Sequence, residues 1–375
     1  MDTNRLIVVA AGGTGGHLFP AEALATVLKA RGNRVILATD GRVNEFTEGF
    51  PAEDIVVFST ASPSVNSLFR KAAAIFCIGR GVLEARAYFR EKRPDVVVGF
   101  GGYPSVPPVF AAALLKIPSV IHEQNSVMGR ANHMLARDAA VIATGFPNLN
   151  GVPRKARGLQ VYTGNPLRPI VLEAAQKPFP PTDGSSPIKV LIFGGSQGAR
   201  VFSDVVPEAF SSVAEDKRKR LVVVQQARPE DVERVRGHYK ALYMQAEVEP
   251  FFKDLPARMA DSHLVIARAG ASTVSELAAV GRPSILVPLP GSLDQDQAAN
   301  AESLSAIGAA KVIRQRDFTA PRLARELTDI VAQPETLAAQ AENARRAGVP
   351  DAAEKLADAV MELIARQPPP APPPA

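Results

Sequence analysis

Twice in this chain a β-branched run breaks off in glycine and a helical pattern follows at once. The first instance is VVAAGGTGGHLFPAEALA, Val8 to Ala25; the second is VLIFGGSQGARVFSDVV, from Val190. Glycine permits positive φ and lets backbone N–H groups approach a ligand with no Cβ in the way. The N-terminus of the following helix adds exposed N–H donors and a partial positive charge, surroundings that suit a phosphate. A tight turn with no ligand also uses glycine, but recurrence at the same place in each half favours ligand binding. Neither turn is a P-loop, because GK[ST] does not follow the glycines. The dinucleotide fingerprint GxGxxG fails too: Gly13 and Gly15 are spaced for it, but Leu18 stands where the third glycine belongs. Asp40 ends the second strand, where a ribose-binding acid would sit, and keeps a nicotinamide enzyme as the weaker alternative.

The surrounding pattern is alternating strand and helix. RLIVVAA, RVILATD, DVVVGF, SVIHEQ and AAVIATG are apolar runs separated by helical segments, the first of them FPAEALATVLKARG closed by Gly32. The second half repeats the pattern with IKVLIFGG, RLVVVQQA, LVIARAG and PSILVPL. Continuous apolar strands with helical crossovers predict an α/β chain with parallel sheets covered on both faces. At 375 residues the chain suits two such domains, and ligands of such sheets bind at the carboxyl ends of the strands. GNPLRPIVLEAAQKPFPPTDGSSP, between the halves, reads as linker. Leu356, Val360, Leu363 and Ile364 lie at helical spacing near the end, and the final PPPAPPPA reads as a disordered Pro-rich tail at 368–375.

Charge and composition narrow the function. A net charge of +5 favours acidic partners such as phosphates or anionic lipid. With Trp absent and aromatics at 6%, an interleaved stacking surface is missing and nucleic acid is not expected. The single cysteine, Cys77, excludes an intramolecular disulfide and a cysteine-cluster metal site. MDTNRLIVV runs straight into a strand without the features of a signal peptide. Val96–Leu115 is uncharged and nearly long enough to span a bilayer, but its three glycines and three prolines predict a strand, a loop and a helix start instead.

Seven motifs occur in one order. They are GGTGGH at Gly12–His17, GFGGYPS at Gly99–Ser105, HEQN at His122–Asn125, TGNPLR at Thr163–Arg168 and GGSQGA at Gly194–Ala199, then GASTVSELAAVGRPSILVPLP from Gly270 and the DxxQxxN of Asp294, Gln297 and Asn300. Together they resemble the N-acetylglucosaminyltransferases of bacterial peptidoglycan synthesis in glycosyltransferase family 28, over all but the last few residues. The resemblance implies the GT-B fold, two Rossmann-like doubly wound domains facing a central cleft. Residues 1–162 would take a lipid-linked acceptor and 163–345 the UDP-sugar donor, with a C-terminal helix at about 346–367 packing back on the first domain. The implied reaction moves N-acetylglucosamine from UDP-N-acetylglucosamine to the 4-hydroxyl of undecaprenyl-pyrophosphoryl-MurNAc-pentapeptide (lipid I to lipid II), inverting the anomeric centre.

Carried onto this sequence, the resemblance places Ser196 and its turn at the donor phosphates, with Arg168 reaching the donor and Asn125 in the cleft. Phe252 stands where an aliphatic residue usually lies beside the uracil. Ala271, Ser272, Thr273, Val274, Ser275 and Glu276 begin a helix aimed at the phosphates, Glu276 taking the ribose hydroxyls and Gln297 the sugar. Vicinal hydroxyls suit a bidentate carboxylate; the alternative for Glu276 is a first-turn acid stabilising a helix dipole. Thr14, Gly15 and Gly16 form the floor of the site. His17 is a candidate base for the acceptor hydroxyl, since imidazole titrates near neutrality; it competes with a role in binding acceptor pyrophosphate, and His122 and Glu123 are the other candidate bases.

Asp296 departs from the family's usual glutamine and creates a D-x-D with Asp294, read as chance, so no metal site is expected. No tightly bound cofactor is implied, although carboxylates near a diphosphate can recruit Mg²⁺ and allow stimulation by it. A polyprenyl acceptor would bring the protein to the anionic cytoplasmic face of the inner membrane as a peripheral protein, near other cell-wall or division proteins. Leu68, Phe69, Arg70, Lys71, Ile75, Phe76 and Arg80 supply apolar residues in a basic frame for that surface; the alternative is a core-facing helix with a solvated basic face. A UDP-N-acetylglucosamine 2-epimerase and a non-catalytic sugar-nucleotide sensor remain rival readings.

Overall fold

The computed structural model describes residues 4–12, 15–41, 49–61, 68–182, 186–195, 198–292 and 296–366. The chain divides into two compact units: Met1–Arg168 with the segment from Asp351, and Pro169–Pro350.

In the first unit the apolar runs become β1 (Leu6–Ala10), β2 (Arg34–Thr39), β4 (Val96–Gly99), β5 (Ser119–Glu123) and β6 (Val141–Thr144), flanked by β3 (Asp54–Val57) and β7 (Leu159–Tyr162). All pairings are parallel in the order β3-β2-β1-β4-β5-β6-β7. Side chains of a strand alternate between faces, and β1 shows why its run has no polar residue. Ile7 and Val9 enter a core with Leu24 and Leu28 of α1 (Gly15–Ala30) and Leu356 and Val360 of α14 (Ala352–Ala365). Leu6, Val8 and Ala10 enter the opposite core with Ala85 and Phe89 of α2 (Leu68–Lys92) and Val109 of α3 (Val106–Leu115). Helix α14 lies against α1, where Arg31 meets Asp358 at 2.6 Å. α4 (Arg130–Leu135) follows β5.

The second unit contains β8 (Ile188–Phe193), β9 (Leu221–Gln226), β10 (Ala246–Glu249), β11 (Leu264–Ala267), β12 (Ser284–Leu286) and β13 (Ala310–Val312), parallel in the order β10-β9-β8-β11-β12-β13. Its helices include α5 (Pro169–Ala175), α6 (Arg200–Ser211), α7 (Glu215–Arg218), α8 (Val232–Ala241), α9 (Leu255–Ala260), α10 (Ala271–Val280), α11 (Asp296–Ser305), α12 (Ala320–Ala332) and α13 (Glu335–Ala347). Two parallel α/β units of this kind are the GT-B fold.

Two expectations need correction. The stretch read as linker is largely built into the units: Gly164–Arg168 belongs to the first, and α5 stands within it in the second. Fully buried Arg282 fixes the next residues, donating from Nη2 to the Pro178 carbonyl at 3.1 Å while its guanidinium stacks on Phe179. Burial lowers its pKa to about 10, so it is still charged at neutral pH, and carbonyls of Ala260, Val280 and Gly281 complete its shell. Helix α1 also begins four residues before Phe19, so Gly15, Gly16 and His17 form its first turn. Val96–Leu115 resolves into β4, a 3-10 turn (Tyr103–Ser105) and α3; among the described residues no helix is long and apolar enough to cross a membrane.

The α2 register depends on Gly81, where an added Cβ would lie 1.9 Å from the Ser59 carbonyl oxygen, whereas Gly79 faces open space. Gly81→Ala is expected to destabilise the first unit by about 1–3 kcal/mol. Gly79→Ala should be neutral or stabilising, by up to ~1 kcal/mol. Denaturant unfolding of the two variants checks the contrast.

Candidate functional site

Parallel strands bring three turns to one edge of the first sheet: β1 into α1, β4 into the 3-10 turn, and β5 into α4. The first N–H groups of α1 have no partner within the helix, and no acidic side chain lies in that turn. Thr14 lies outside the described residues. His17, half-buried, rests on the second turn, where Gly101 (φ +78°) and Gly102 (φ +67°) adopt left-handed backbone. A Cβ on Gly102 would lie 3.3 Å from His17 Nε2, so both conformation and contact require glycine there. Burial holds the imidazole below its ordinary pKa, opposed by the Phe100 carbonyl and the Gln124 side chain. His17 is therefore neutral at pH 7 and able to accept a proton.

The other two candidate bases face inward. His122 is fully buried, its ring centroid 5.4 Å from that of Phe100 and its Nε2 3.0 Å from the Gly164 carbonyl oxygen. That carbonyl requires an Nε2–H, and burial takes the pKa down to about 4. Glu123 accepts from Asn125 N (3.0 Å), Asn125 Nδ2 (3.3 Å), Gly129 N (2.9 Å) and Asn132 Nδ2 (2.8 Å). It shapes the loop from β5 to α4 and fixes Asn125, leaving little room to serve a substrate. Burial raises its pKa and those donors oppose the rise. Arg168 stacks over the Phe19 ring of α1 at 4.2 Å, and its charge opposes the burial-driven rise in the Glu22 pKa.

In the second unit, Gln226 at the end of β9 clamps the glycine turn. Its Oε1 accepts from Gly194 N at 3.0 Å, and its Nε2 donates to the carbonyls of Gly195 (3.1 Å) and Pro250 (3.3 Å). Gly195 and Gly198 have φ of +87° and +65°, and a Cβ on Gly194 would meet Ala199 N at 2.3 Å. Ser196 lies outside the described residues. The Phe252 ring turns inward, buried under the Arg258 guanidinium at 4.4 Å, whereas its neighbour Phe251 is exposed.

Helix α10 begins after Gly270, with no side-chain cap. Val274 N bonds the Gly270 carbonyl at 3.0 Å, so the N–H groups of Ala271, Ser272 and Thr273 precede the helical ladder. Ala271 and Val274 are buried; Ser272, Thr273, Ser275 and Glu276 are half-buried. Glu276 is the sixth helical residue, beyond the first turn, so stabilising the helix dipole does not explain it.

The DxxQxxN spacing has a structural use as well. Gln297 and Asn300 lie on one face of α11 and hold the backbone of Ala269: Ala269 N donates to Gln297 Oε1 (3.3 Å), and Asn300 Nδ2 donates to the Ala269 carbonyl (3.2 Å). Leu289 N also donates to Gln297 Oε1, at 3.0 Å, so a ligand hydroxyl would meet the Nε2 end of this side chain. Asp296 Oδ1 accepts from Gln297 N at 2.7 Å, and Asp294 lies outside the described residues. Arg268, not singled out by motif, braces the same edge by donating to the Val287 carbonyl (3.0 Å) and Gln315 Oε1 (2.6 Å). With Gln226 and Asn132, it lies outside the motifs, and Gln124 lies within HEQN without a role assigned to it. For Gln226, Gln124 and Arg268 the available signal is a polar residue at or just beyond the end of an apolar strand.

The glycosyltransferase family 28 N-terminal domain matches residues 7–144, and the family's C-terminal domain matches residues 189–356. The chain belongs to glycosyltransferase family 28. It is 57% identical over 361 residues, 96% of this chain and 98% of the relative, to the UDP-N-acetylglucosamine--N-acetylmuramyl-(pentapeptide) pyrophosphoryl-undecaprenol N-acetylglucosamine transferase of Methylobacterium radiotolerans. The Rhodopseudomonas palustris protein of the same description is 49% identical, covering 97% of each chain. Among solved structures, Acinetobacter baumannii MurG superposes with a TM-score of 0.79 at 31% identity, over 96% of this chain and 99% of that one. A UDP-GlcNAc 2-epimerase from Neisseria meningitidis has a TM-score of 0.64 at 14% identity, covering 96% and 100%, a likeness of fold alone. Both family 28 domains thus lie on the two units built around the glycine turns.

His122 ties the stability of the first unit to pH. The unfolded imidazole binds a proton near pH 6.5 and the folded one only near 4, so stability is full above 6.5 and falls as pH drops towards 4. The loss should approach about 3 kcal/mol. His122→Gln should remove this part of the pH dependence, read as the difference between wild-type and variant unfolding free energies at pH 7 and 4.5.

Proposed function

We propose that this chain transfers N-acetylglucosamine from UDP-N-acetylglucosamine to the 4-hydroxyl of undecaprenyl-pyrophosphoryl-MurNAc-pentapeptide, inverting the anomeric carbon and converting lipid I to lipid II for peptidoglycan. The observation that carries this reading is 57% identity, spanning 96% of the chain, to a transferase of that description. Site chemistry supports it. His17 Nε2 takes the proton of the acceptor hydroxyl, whose oxygen attacks the anomeric carbon as its bond to UDP breaks. Charge then grows on the leaving diphosphate. The uncapped first turn of α10 and the Gly195 N–H of the turn after β8 offer donors for that charge, and Arg168 offers a cation. Glu276 accepts the ribose hydroxyls and the Gln297 Nε2 end meets the sugar. The reaction needs no resident cofactor, and Mg²⁺ acts only as a stimulant.

The lipid tail of the acceptor requires a membrane surface. On α2, Phe69 and Phe76 are 90% and 77% exposed, Ile75 is also exposed, and Lys71 and Arg80 lie among them; the side chains of Leu68 and Arg70 lie outside the description. Phe110 and Leu114 of the adjoining α3 are exposed too. The second half of α2 buries Gly81, Ala85 and Phe89, whereas the described side chains of its first turns are exposed apart from Ala74. An apolar tip in a basic frame suits peripheral binding at the anionic cytoplasmic face of the inner membrane. Through its product the enzyme serves cell shape and division, in the company of other cell-wall proteins.

The test is UDP release from UDP-N-acetylglucosamine with and without a short-chain lipid-linked muramoyl-pentapeptide. Acceptor-dependent release with a disaccharide product is expected, and His17→Ala should lower kcat by roughly 10²–10⁴-fold. Donor binding without acceptor-dependent release contradicts the reading, and an epimerised sugar product would indicate the epimerase instead. Phe69→Glu with Phe76→Glu should reduce sedimentation with anionic vesicles at least tenfold while sparing turnover of the short-chain acceptor; unchanged sedimentation would contradict the membrane assignment.

A further inference from the structure

We propose that Gln124 is a positioning residue that holds His17 as the Nδ1–H tautomer, leaving the Nε2 lone pair for the acceptor hydroxyl. The inference rests on the reading of His17 as the base. Of the two ring nitrogens, Nδ1 is the one buried without a hydrogen-bond partner, and the polar groups that bear on the ring are the Phe100 carbonyl and the Gln124 side chain. Gln124 is itself buried, and its Nε2 donates to the Phe100 carbonyl at 2.8 Å. That bond fixes the amide: its nitrogen end is engaged on a carbonyl, and its Oε1 remains buried without a donor.

The free positions of both groups beside the His17 ring are therefore acceptors, and the unpartnered Gln124 Oε1 and the unpartnered Nδ1 are both buried there. A lone pair on Nδ1 would face two others, whereas a proton there satisfies the orphaned Oε1 or shares the Phe100 carbonyl. The tautomer follows from this pairing. Nε2 lies at the ring edge beside Gly102, where a Cβ would stand 3.3 Å away and its absence leaves no side chain against that nitrogen from this residue.

A neutral amide suits this task because it selects the tautomer without the added basicity that a carboxylate would impose. The titratable groups of the surrounding elements, Glu22 on α1, Tyr103 after β4, and His122 and Glu123 on β5, are not among the causes of the His17 shift. Backbone placement at this position has a separate support, since Asn165 Nδ2 donates to the Gln124 carbonyl at 3.0 Å. The side chain is thereby available for His17.

Long-range ¹H–¹⁵N spectra of the full chain at pH 7.5 read the tautomer directly, with His17 assigned by its loss in His17→Ala. The Nδ1–H pattern is expected in the wild type, with a shift towards Nε2–H in Gln124→Leu. In steady-state transfer, Gln124→Leu should lower kcat tenfold or more with both KM values within threefold. Gln124→Glu, which keeps an acceptor oxygen, should recover part of that loss and move the acid limb of kcat/KM to higher pH. An Nε2–H tautomer in the wild type overturns the proposal, as does unchanged kcat or a change confined to KM in Gln124→Leu. Full activity in His17→Ala would instead refute the base assignment, a failure that the tautomer spectra distinguish from failure of the Gln124 contact.

Discussion

A parallel sheet delivers the carboxyl end of every strand to one edge, and every crossover helix that follows starts there with N–H groups outside its own ladder. The rest of this molecule depends on that constraint. It explains why glycine gathers after β1, β4 and β8, where backbone must turn sharply beside exposed donors. In the second unit it places the Gly194–Gly195 turn, the start of α10 and the Ala269 backbone held by α11 at the same edge of one sheet. Phosphate recognition by such an edge needs few charged side chains, because backbone dipoles supply the field.

Turns of this kind are floppy unless something fixes them, and here buried or half-buried polar side chains near strand ends do so. Gln226 joins the loops after β8 and β10, Arg268 joins the ends of β11 and β12, and Glu123 gathers the backbone of Asn125 and Gly129 with the side chain of Asn132. Burying such groups is unfavourable unless their hydrogen bonds are made. Once made, those bonds restrict the loop to a single conformation. Removing one partner would leave buried donors or acceptors stranded, at a cost of about 1–3 kcal/mol each.

The central strands and glycine turns were legible in the sequence because both faces of those strands are covered, which forces an unbroken apolar run such as LIVVA. The four strands that sequence reading did not find, β3, β7, β10 and β13, are the four sheet edges. Each is only three or four residues long and largely half-buried or exposed, so DIVV, LQVY, AEVE and AKV carry little pattern. The Pro-rich stretch misled for a related reason: its order comes from Arg282 and His263, far along the chain. At the candidate site, motifs singled out His17, Arg168 and Glu276 as expectations. They did not reveal that His122 and Glu123 face inward, because burial depends on the Gly164 carbonyl and the α4 loop, which no local spacing encodes.

We propose that the second unit recognises the donor through the start of α10. Hydrogen–deuterium exchange with and without UDP tests it most directly. Slowed exchange is expected at Ala271–Glu276 and in the turn after β8. Unchanged exchange there, or protection confined to the first unit, would contradict it.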